Sequence, residues 1–317
     1  MGEHNYRQAD KPTMYFIGVT TGKSSIMKVF PEWARYLKLY DYVIKGIDFR
    51  LHDEPKAYRE AVAFIREDPL SLGALVTTHK IDLFKACRGM FDTLGPYARI
   101  MEEVSCISKR NGKLNGQAKD PISSGLALED FLPANYWKET GAEILLMGAG
   151  GAAIALTSYL AGEGRGSNKP SRIYVSNRSR KGLAGIKNIH QRLQVDIPVE
   201  YILAPVPEEN DRVVNKLKPY SLVINATGLG KDTPGSPITD AAVFPENGIA
   251  WDFNYRGDLV FIKQAYTRQK ERNLKIEDGW VYFIHGWTRV ISEVCNIHIP
   301  VKGAVFAELA KIAAKFR

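Results

Sequence analysis

The chain is short of several things. It has only three cysteines, Cys87, Cys106 and Cys295, an odd and widely spread set. That spacing argues against a disulfide framework or a thiolate zinc site and for free thiols. The six histidines show no metal-ligand spacing, so no metal is expected. No apolar run approaches the roughly 20 residues that span a bilayer. Residues 1–12 are polar and lack the apolar core of a signal peptide, so a cytoplasmic protein without membrane contact is expected. Blocks of one charge are missing as well. The net charge is +8, yet the basic residues are scattered and no basic-aromatic recognition motif occurs, which argues against a nucleic-acid partner. A mildly basic surface around anionic small molecules explains the charge more simply. With 45% hydrophobic and 25% charged residues the composition is globular, and 317 residues suffice for two domains.

What is present centres on residues 143–153, Glu-Ile-Leu-Leu-Met-Gly-Ala-Gly-Gly-Ala-Ala. The run 144–147 reads as a buried strand, because it has no polar alternation and stops at glycine. Gly148, Ala149, Gly150, Gly151, Ala152 and Ala153 then have the G-x-G-x-x-A spacing of a dinucleotide fingerprint. Gly148 permits the tight turn and Gly150 lets backbone approach a pyrophosphate. Ala153 is small enough for the next helix, read over 154–160, to pack on the strand. Strand before and helix after are the context this motif requires.

A second strand, 172–176, runs into Asn177, Arg178, Ser179, Arg180 and Lys181. Binders of NAD place an acid there for the ribose hydroxyls. No acid is present and three cations surround the position, so NADP is favoured through arginine–phosphate pairing. A plain basic helix start is disfavoured, since cations sit badly at a helix N-terminus without an anion. Residues 221–230 form another buried strand ending in Asn225, Ala226, Thr227 and two glycines, and 249–255 repeats the pattern with Asp252 and Tyr255 at its end.

The N-terminal half alternates strand and helix: strands at 15–18, 42–49 and 72–76, helices at 26–39, 55–66 and 81–88. This predicts an α/β domain with a largely parallel sheet. In the first helix Met27, Phe30, Ala34 and Leu37 share one face. The loop 19–25 is rich in hydroxyls and suits a polyhydroxylated ligand, although Ser24 or Ser25 would serve equally as an N-cap. Lys80 follows Thr77, Thr78 and His79 just past a buried strand, where ligands bind in open α/β sheets, or it simply begins the next helix. Asn111-Gly112 marks a type I′ hairpin turn. The second arm leads to Asp120, which either starts a helix over 123–131 or stands beside Lys80 as a lysine–carboxylate pair for proton exchange. Residues 133–141 read as a linker and 303–315 as a last helix.

Taken together, Gly148-Ala-Gly-Gly-Ala152, Ser176-Asn-Arg-Ser179, Asn225-Ala-Thr-Gly-Leu-Gly230 and Asp252-Phe-Asn-Tyr255 resemble the shikimate dehydrogenase family, including its quinate/shikimate relatives. The resemblance covers nearly the whole chain. It implies that the glycine turn holds pyrophosphate, Asn177, Arg178 and Ser179 take the adenosine phosphate of NADP, and Asn225, Ala226 and Thr227 lie on the nicotinamide side. It also implies catalytic roles for Lys80 and Asp120, and an approach of Tyr255 to substrate. The substrate half departs from the family pattern. The paired serines become Ser24 with Ile26 and Met27 behind it; the asparagine before the catalytic lysine becomes Ala74, and the segment is one residue shorter if Thr77 is the substrate-contacting threonine. Asn-Thr-Asp becomes Ala118-Lys119-Asp120, an upstream Asn-Thr becomes Ser105-Cys106, and a C-terminal glutamine becomes Gly286.

The expectation is therefore a two-domain α/β protein. Residues 1–122 with 284–317 make the substrate and catalytic domain, and 123–283 make a Rossmann-type NADP-binding domain with a parallel sheet. The expected activity is NADP-dependent hydride transfer to or from a small cyclic polyol such as a cyclitol or carbasugar. Lys80 and Asp120 would be catalytic, and Ser24, Thr77 and Tyr255 would bind substrate. A genuine shikimate or quinate dehydrogenase is one alternative and a non-catalytic NADP(H) sensor another. The protein is expected to be a monomer or homodimer.

Overall fold

The computed structural model describes residues 6–162, 166–231 and 233–317. The chain forms two compact units: Met1–Lys119 with Ile284–Arg317, and Asp120–Phe283. Among the described residues no helix is long and apolar enough to cross a membrane.

The first unit contains β1 (Thr13–Gly18), α1 (Ile26–Tyr36), β2 (Val43–Asp48), α2 (Pro55–Glu67), β3 (Ser71–Val76), α3 (Lys80–Cys87), β4 (Thr93–Leu94), α4 (Pro96–Met101), β5 (Cys106–Arg110) and β6 (Lys113–Gln117). All six residues of β1 are buried, as expected of a strand covered on both faces. The sheet order is β2-β1-β3-β5-β6-β4. It is largely parallel, as expected: β2, β1, β3, β6 and β4 run in one direction, and β5 alone opposes its neighbours β3 and β6. Between β5 and β6, Asn111 and Gly112 take positive φ of 49° and 74°, closing the two-residue hairpin that makes this pair antiparallel.

Helix α1 stops at Tyr36, and its buried face is Ile26, Val29, Phe30, Trp33 and Ala34, rotated from the Met27–Leu37 stripe read from the sequence. Pro31 removes one helical hydrogen bond in its interior, yet the helix persists because that face is packed. Trp33 Nε1 donates to the carbonyl of Leu309 at 2.8 Å, joining α1 to the helix Ala304–Ala314 at the C-terminus.

The second unit contains α5 (Asp120–Phe131), α6 (Tyr136–Thr140), β7 (Ile144–Met147), α7 (Gly151–Leu160), β8 (Ile173–Asn177), α8 (Arg180–Arg192), β9 (Val199–Leu203), α9 (Pro207–Val214), β10 (Leu222–Asn225), β11 (Ile249–Asp252), α10 (Val260–Arg272) and β12 (Lys275–Glu277). Helix α11 (Trp280–Val294) begins in this unit and ends in the first; the C-terminal helix is α12. The sheet is wholly parallel, in the order β12-β11-β10-β7-β8-β9. Alternate residues of each strand feed two cores. Ile144, Leu146, Val175 and Ile224 pack toward α5, α7 and α8, and Leu145, Met147, Tyr174 and Val223 toward α9 and α10. This is the doubly wound arrangement in which the end of the sheet bearing the strands' C-termini binds ligands.

One expectation fails here. Residues 133–141 are not a plain linker, because Tyr136–Thr140 is helical and Trp137 is 2% exposed. Burial of two adjacent aromatic rings, with Tyr136 Oη donating to Tyr220 O at 2.5 Å, outweighs the local turn signals.

Candidate active site

In the second unit the turns after β7, β8 and β10 meet at one cavity of ≈370 Å³. Gly148, Ala149, Gly150, Ser176, Asn177, Arg178, Ala226 and Thr227 line it, together with residues 204–207 beyond β9 and with Thr233, Ser236 and Pro237. Gly148 has φ of +112°, and a Cβ there would lie 2.6 Å from Ala226 O, so only glycine lets β7 turn this close to β10. Gly150 is different. It precedes α7 with ordinary φ, and a Cβ would meet nothing within 4 Å. Its smallness serves no internal packing and leaves backbone N–H groups open to the cavity, as a bound phosphate requires. Gly151 and Ala152 form the first turn of α7, which has no acidic residue to compete for those donors.

The β8 turn is both a helix start and a basic turn. Ser179 caps α8, accepting from Gly182 N at 3.2 Å, and Asn177 Nδ2 donates to Ser179 Oγ at 3.2 Å. Ser179 and Arg180 stand outside the cavity wall, whereas Asn177 and Arg178 form part of it. Arg178 is exposed and makes no ion pair among the described residues. Its guanidinium is thus available to an anion.

Asn225, expected to touch the cofactor, is fully buried and does not line the cavity. Its Oδ1 accepts from Thr227 N at 3.1 Å and Thr227 Oγ1 at 2.7 Å, and its Nδ2 donates to Leu229 O at 3.2 Å and Asp252 Oδ2 at 3.1 Å. With every hydrogen-bonding position engaged, its part is to hold Thr227 at the wall. Asp252 completes this network. It is 0% exposed and accepts from Asn254 N at 2.8 Å. Burial pushes its carboxyl up to about 6, against the hydrogen bonds from Asn254 and Asn225 that favour the ionised form. Tyr255, three residues beyond Asp252, packs its ring against Trp280 and Phe283 at 5.2 and 4.9 Å.

In the first unit β1 and β3 pair in register, Ile17 opposite Val76. Their C-terminal ends therefore bring the loop 19–25 next to residues 77–80. Thr77 N donates to Ile17 O at 2.9 Å. The capping alternative for the serines is not realised: Ser25 precedes α1 without a side-chain cap. Neither Ser24 nor Thr77 makes a side-chain hydrogen bond among the described residues, so both hydroxyls are open to a ligand. Lys80 is the first residue of α3 in this unit, and Asp120 is the first residue of α5 in the other. Among the described residues no group of three His, Cys, Asp or Glu stands ready for a metal, and all three cysteines are buried free thiols.

No family model matches the chain. Curated relatives do. The shikimate dehydrogenase (NADP(+)) of Symbiobacterium thermophilum is 29% identical over 204 residues, 64% of this chain and 64% of that one. The same-named protein of Lactococcus lactis is 27% identical over 189 residues, 59% of this chain and 61% of its own length. The chain thus matches somewhat under two thirds of these relatives. Over nearly its whole length, 97%, it superposes on shikimate 5-dehydrogenase from Listeria monocytogenes, solved with shikimate and NAD, with a TM-score of 0.72 at 17% identity and 98% coverage of that chain. The chain is similar to shikimate dehydrogenases.

Within that frame, two cavity residues carry no sequence signal. Asn210 on α9 lines the cavity at 6% exposure, with Nδ2 donating to Pro237 O at 2.8 Å and Oδ1 without a partner among the described residues. Val206 lies on the same wall, 48% exposed for a large apolar side chain. Both are placed by the β9–α9 crossover, which no short motif announces.

Proposed function

We propose that the protein is an NADP-dependent dehydrogenase that moves hydride between NADP(H) and a secondary hydroxyl of a shikimate-like ring, acting in the cytoplasm as a monomer or homodimer. The observation that carries the reading is the cavity in which the Gly148–Gly150 turn and Arg178, unpaired among the described residues, stand together. The names of the curated relatives support NADP. The Listeria structure contains NAD, so the preference for NADP rests on Arg178 and on the missing acid at the end of β8. The residues fit the group: glycine backbone for the pyrophosphate, Arg178 for the extra phosphate, and Thr227 toward the nicotinamide. Bound there, NADP supplies the hydride acceptor.

On the substrate side, Lys80 exchanges the hydroxyl proton, Asp120 orients Lys80 and binds a ring hydroxyl, and Ser24, Thr77 and Tyr255 fix the ring. The substrate is either shikimate itself, favoured by the relatives' names, or a different cyclic polyol. One structural observation favours the second. Gly286 on α11 stands where the family resemblance implies glutamine, and a Cβ there would meet nothing within 4 Å. The helix offers space instead of a hydrogen-bonding amide.

The test is NADP+ reduction, followed by the absorbance of the reduced nicotinamide, with shikimate, quinate and a panel of cyclitols and carbasugars, NAD+ in parallel. Turnover of a ring alcohol with NADP+ is the expected result. Tight NADPH binding with no turnover of any alcohol in the panel would contradict the enzyme reading and favour a cofactor sensor.

A further inference from the structure

His79 directly precedes Lys80 and has been given no task so far. It is 1% exposed. Its Nδ1 lies 3.0 Å from Tyr58 Oη and its Nε2 3.2 Å from Gly18 O. A carbonyl can only accept, so Nε2 carries the proton. Nδ1 is then the acceptor, and Tyr58 Oη donates to it while accepting from Asp53 N at 3.3 Å. The neutral tautomer is fixed by its neighbours, and burial pushes the imidazole further toward neutrality. The Phe49 ring closes the side of the imidazole edge-on, 5.8 Å away at 88°.

The elements joined by this ring are those that carry the substrate half of the site. Gly18 ends β1 and is the root of the loop bearing Ser24; its carbonyl also accepts from Phe49 N at 2.8 Å, beyond β2. Tyr58 lies on α2, and His79 is the N-cap residue immediately before α3. The backbone immediately before is under strain: Thr78 has φ of +56°, a left-handed conformation costly for a β-branched residue. An apolar side chain would fill the space with no partners to satisfy. Two directional bonds instead specify where the chain emerges into Lys80.

We propose that His79 is a positioning residue for Lys80: a neutral imidazole, held between Tyr58 Oη and Gly18 O, that fixes the start of α3 against the loop bearing Ser24. This rests on Lys80 being the acid–base residue.

The experiment compares wild type with Lys80→Ala, His79→Gln, His79→Asn and His79→Phe, using NADP+ and the panel alcohol with the fastest wild-type turnover. Glutamine presents an amide N–H near the Nε2 position and keeps the link to Gly18 O; asparagine keeps only the link to Tyr58, and phenylalanine keeps neither. Misplacement of an acid–base group by about 1 Å is worth roughly 100-fold. His79→Asn and His79→Phe should therefore lose about 10- to 100-fold in kcat, with NADPH affinity unchanged and a larger primary deuterium isotope effect on the transferred hydrogen, while His79→Gln stays within about threefold of wild type. Loss of folded protein alone would lower the rate without moving the isotope effect, and thermal melts taken alongside report it. Folded His79→Asn and His79→Phe with wild-type kcat, or with lower kcat at an unchanged isotope effect, overturn the proposal while a collapsed Lys80→Ala leaves the reading of Lys80 standing. Full turnover by Lys80→Ala, or a panel that yields no wild-type turnover, removes that reading and this proposal with it.

Discussion

Arg178 faces the cavity with its charge unpaired among the described residues, whereas Lys169, for example, meets Asp196 at 2.8 Å. A hydrogen bond from a charged group to phosphate is worth about 1.5–3 kcal/mol, or about 10- to 100-fold in affinity. Arg178→Ala should weaken NADP+ by that factor and leave NAD+ nearly unchanged, as titration calorimetry with both would show. Asp252 makes a second prediction at this scale. Its folded carboxyl keeps its proton more firmly than the unfolded chain does, so the stability it contributes is present at low pH. That contribution is lost as pH rises from 3.8 to about 6. The loss is roughly 3 kcal/mol. Asp252→Asn has no such titration, so the melting temperature of the variant minus that of wild type should grow between about pH 4 and pH 7. A constant difference would contradict it.

Among the elements, those legible in the sequence are the ones whose cause is local. The strand β7 shows as an unbroken apolar run, and the turn after it as glycines that only that geometry needs. Gly148→Ala brings a methyl to 2.6 Å from Ala226 O at a φ of +112°. The conformation alone costs about 1–3 kcal/mol, so a melting temperature several degrees lower is expected, with weakened NADPH binding; an unaltered melt would contradict the close β7–β10 approach. Elements set by distant partners were not legible. The helix α6 exists because Trp137 is buried, and β4 is two residues long. Asn225 reads like a ligand contact because it sits at a strand end, but its partner Asp252 lies 27 positions away, and only folding shows that all its hydrogen bonds are spent. Partners of His79 are 21 and 61 positions distant.

At the scale of the molecule, alternation of strands and helices announces an α/β protein, and the parallel sheet of the second unit follows from strands that are apolar throughout. In the first unit the sheet is largely parallel as well, and its one reversed strand, β5, is announced by the Asn111-Gly112 hairpin turn. Lys80 belongs to the first unit and Asp120 opens the second, and no spacing rule in a linear sequence relates residues of two units. The acid–base chemistry is therefore the central claim to be measured. Lys80→Ala should lose about 10²- to 10⁴-fold in turnover while NADPH affinity stays at the wild-type value, since the cofactor cavity is lined by residues of the other unit alone. Wild-type turnover in a folded Lys80→Ala protein would contradict the account.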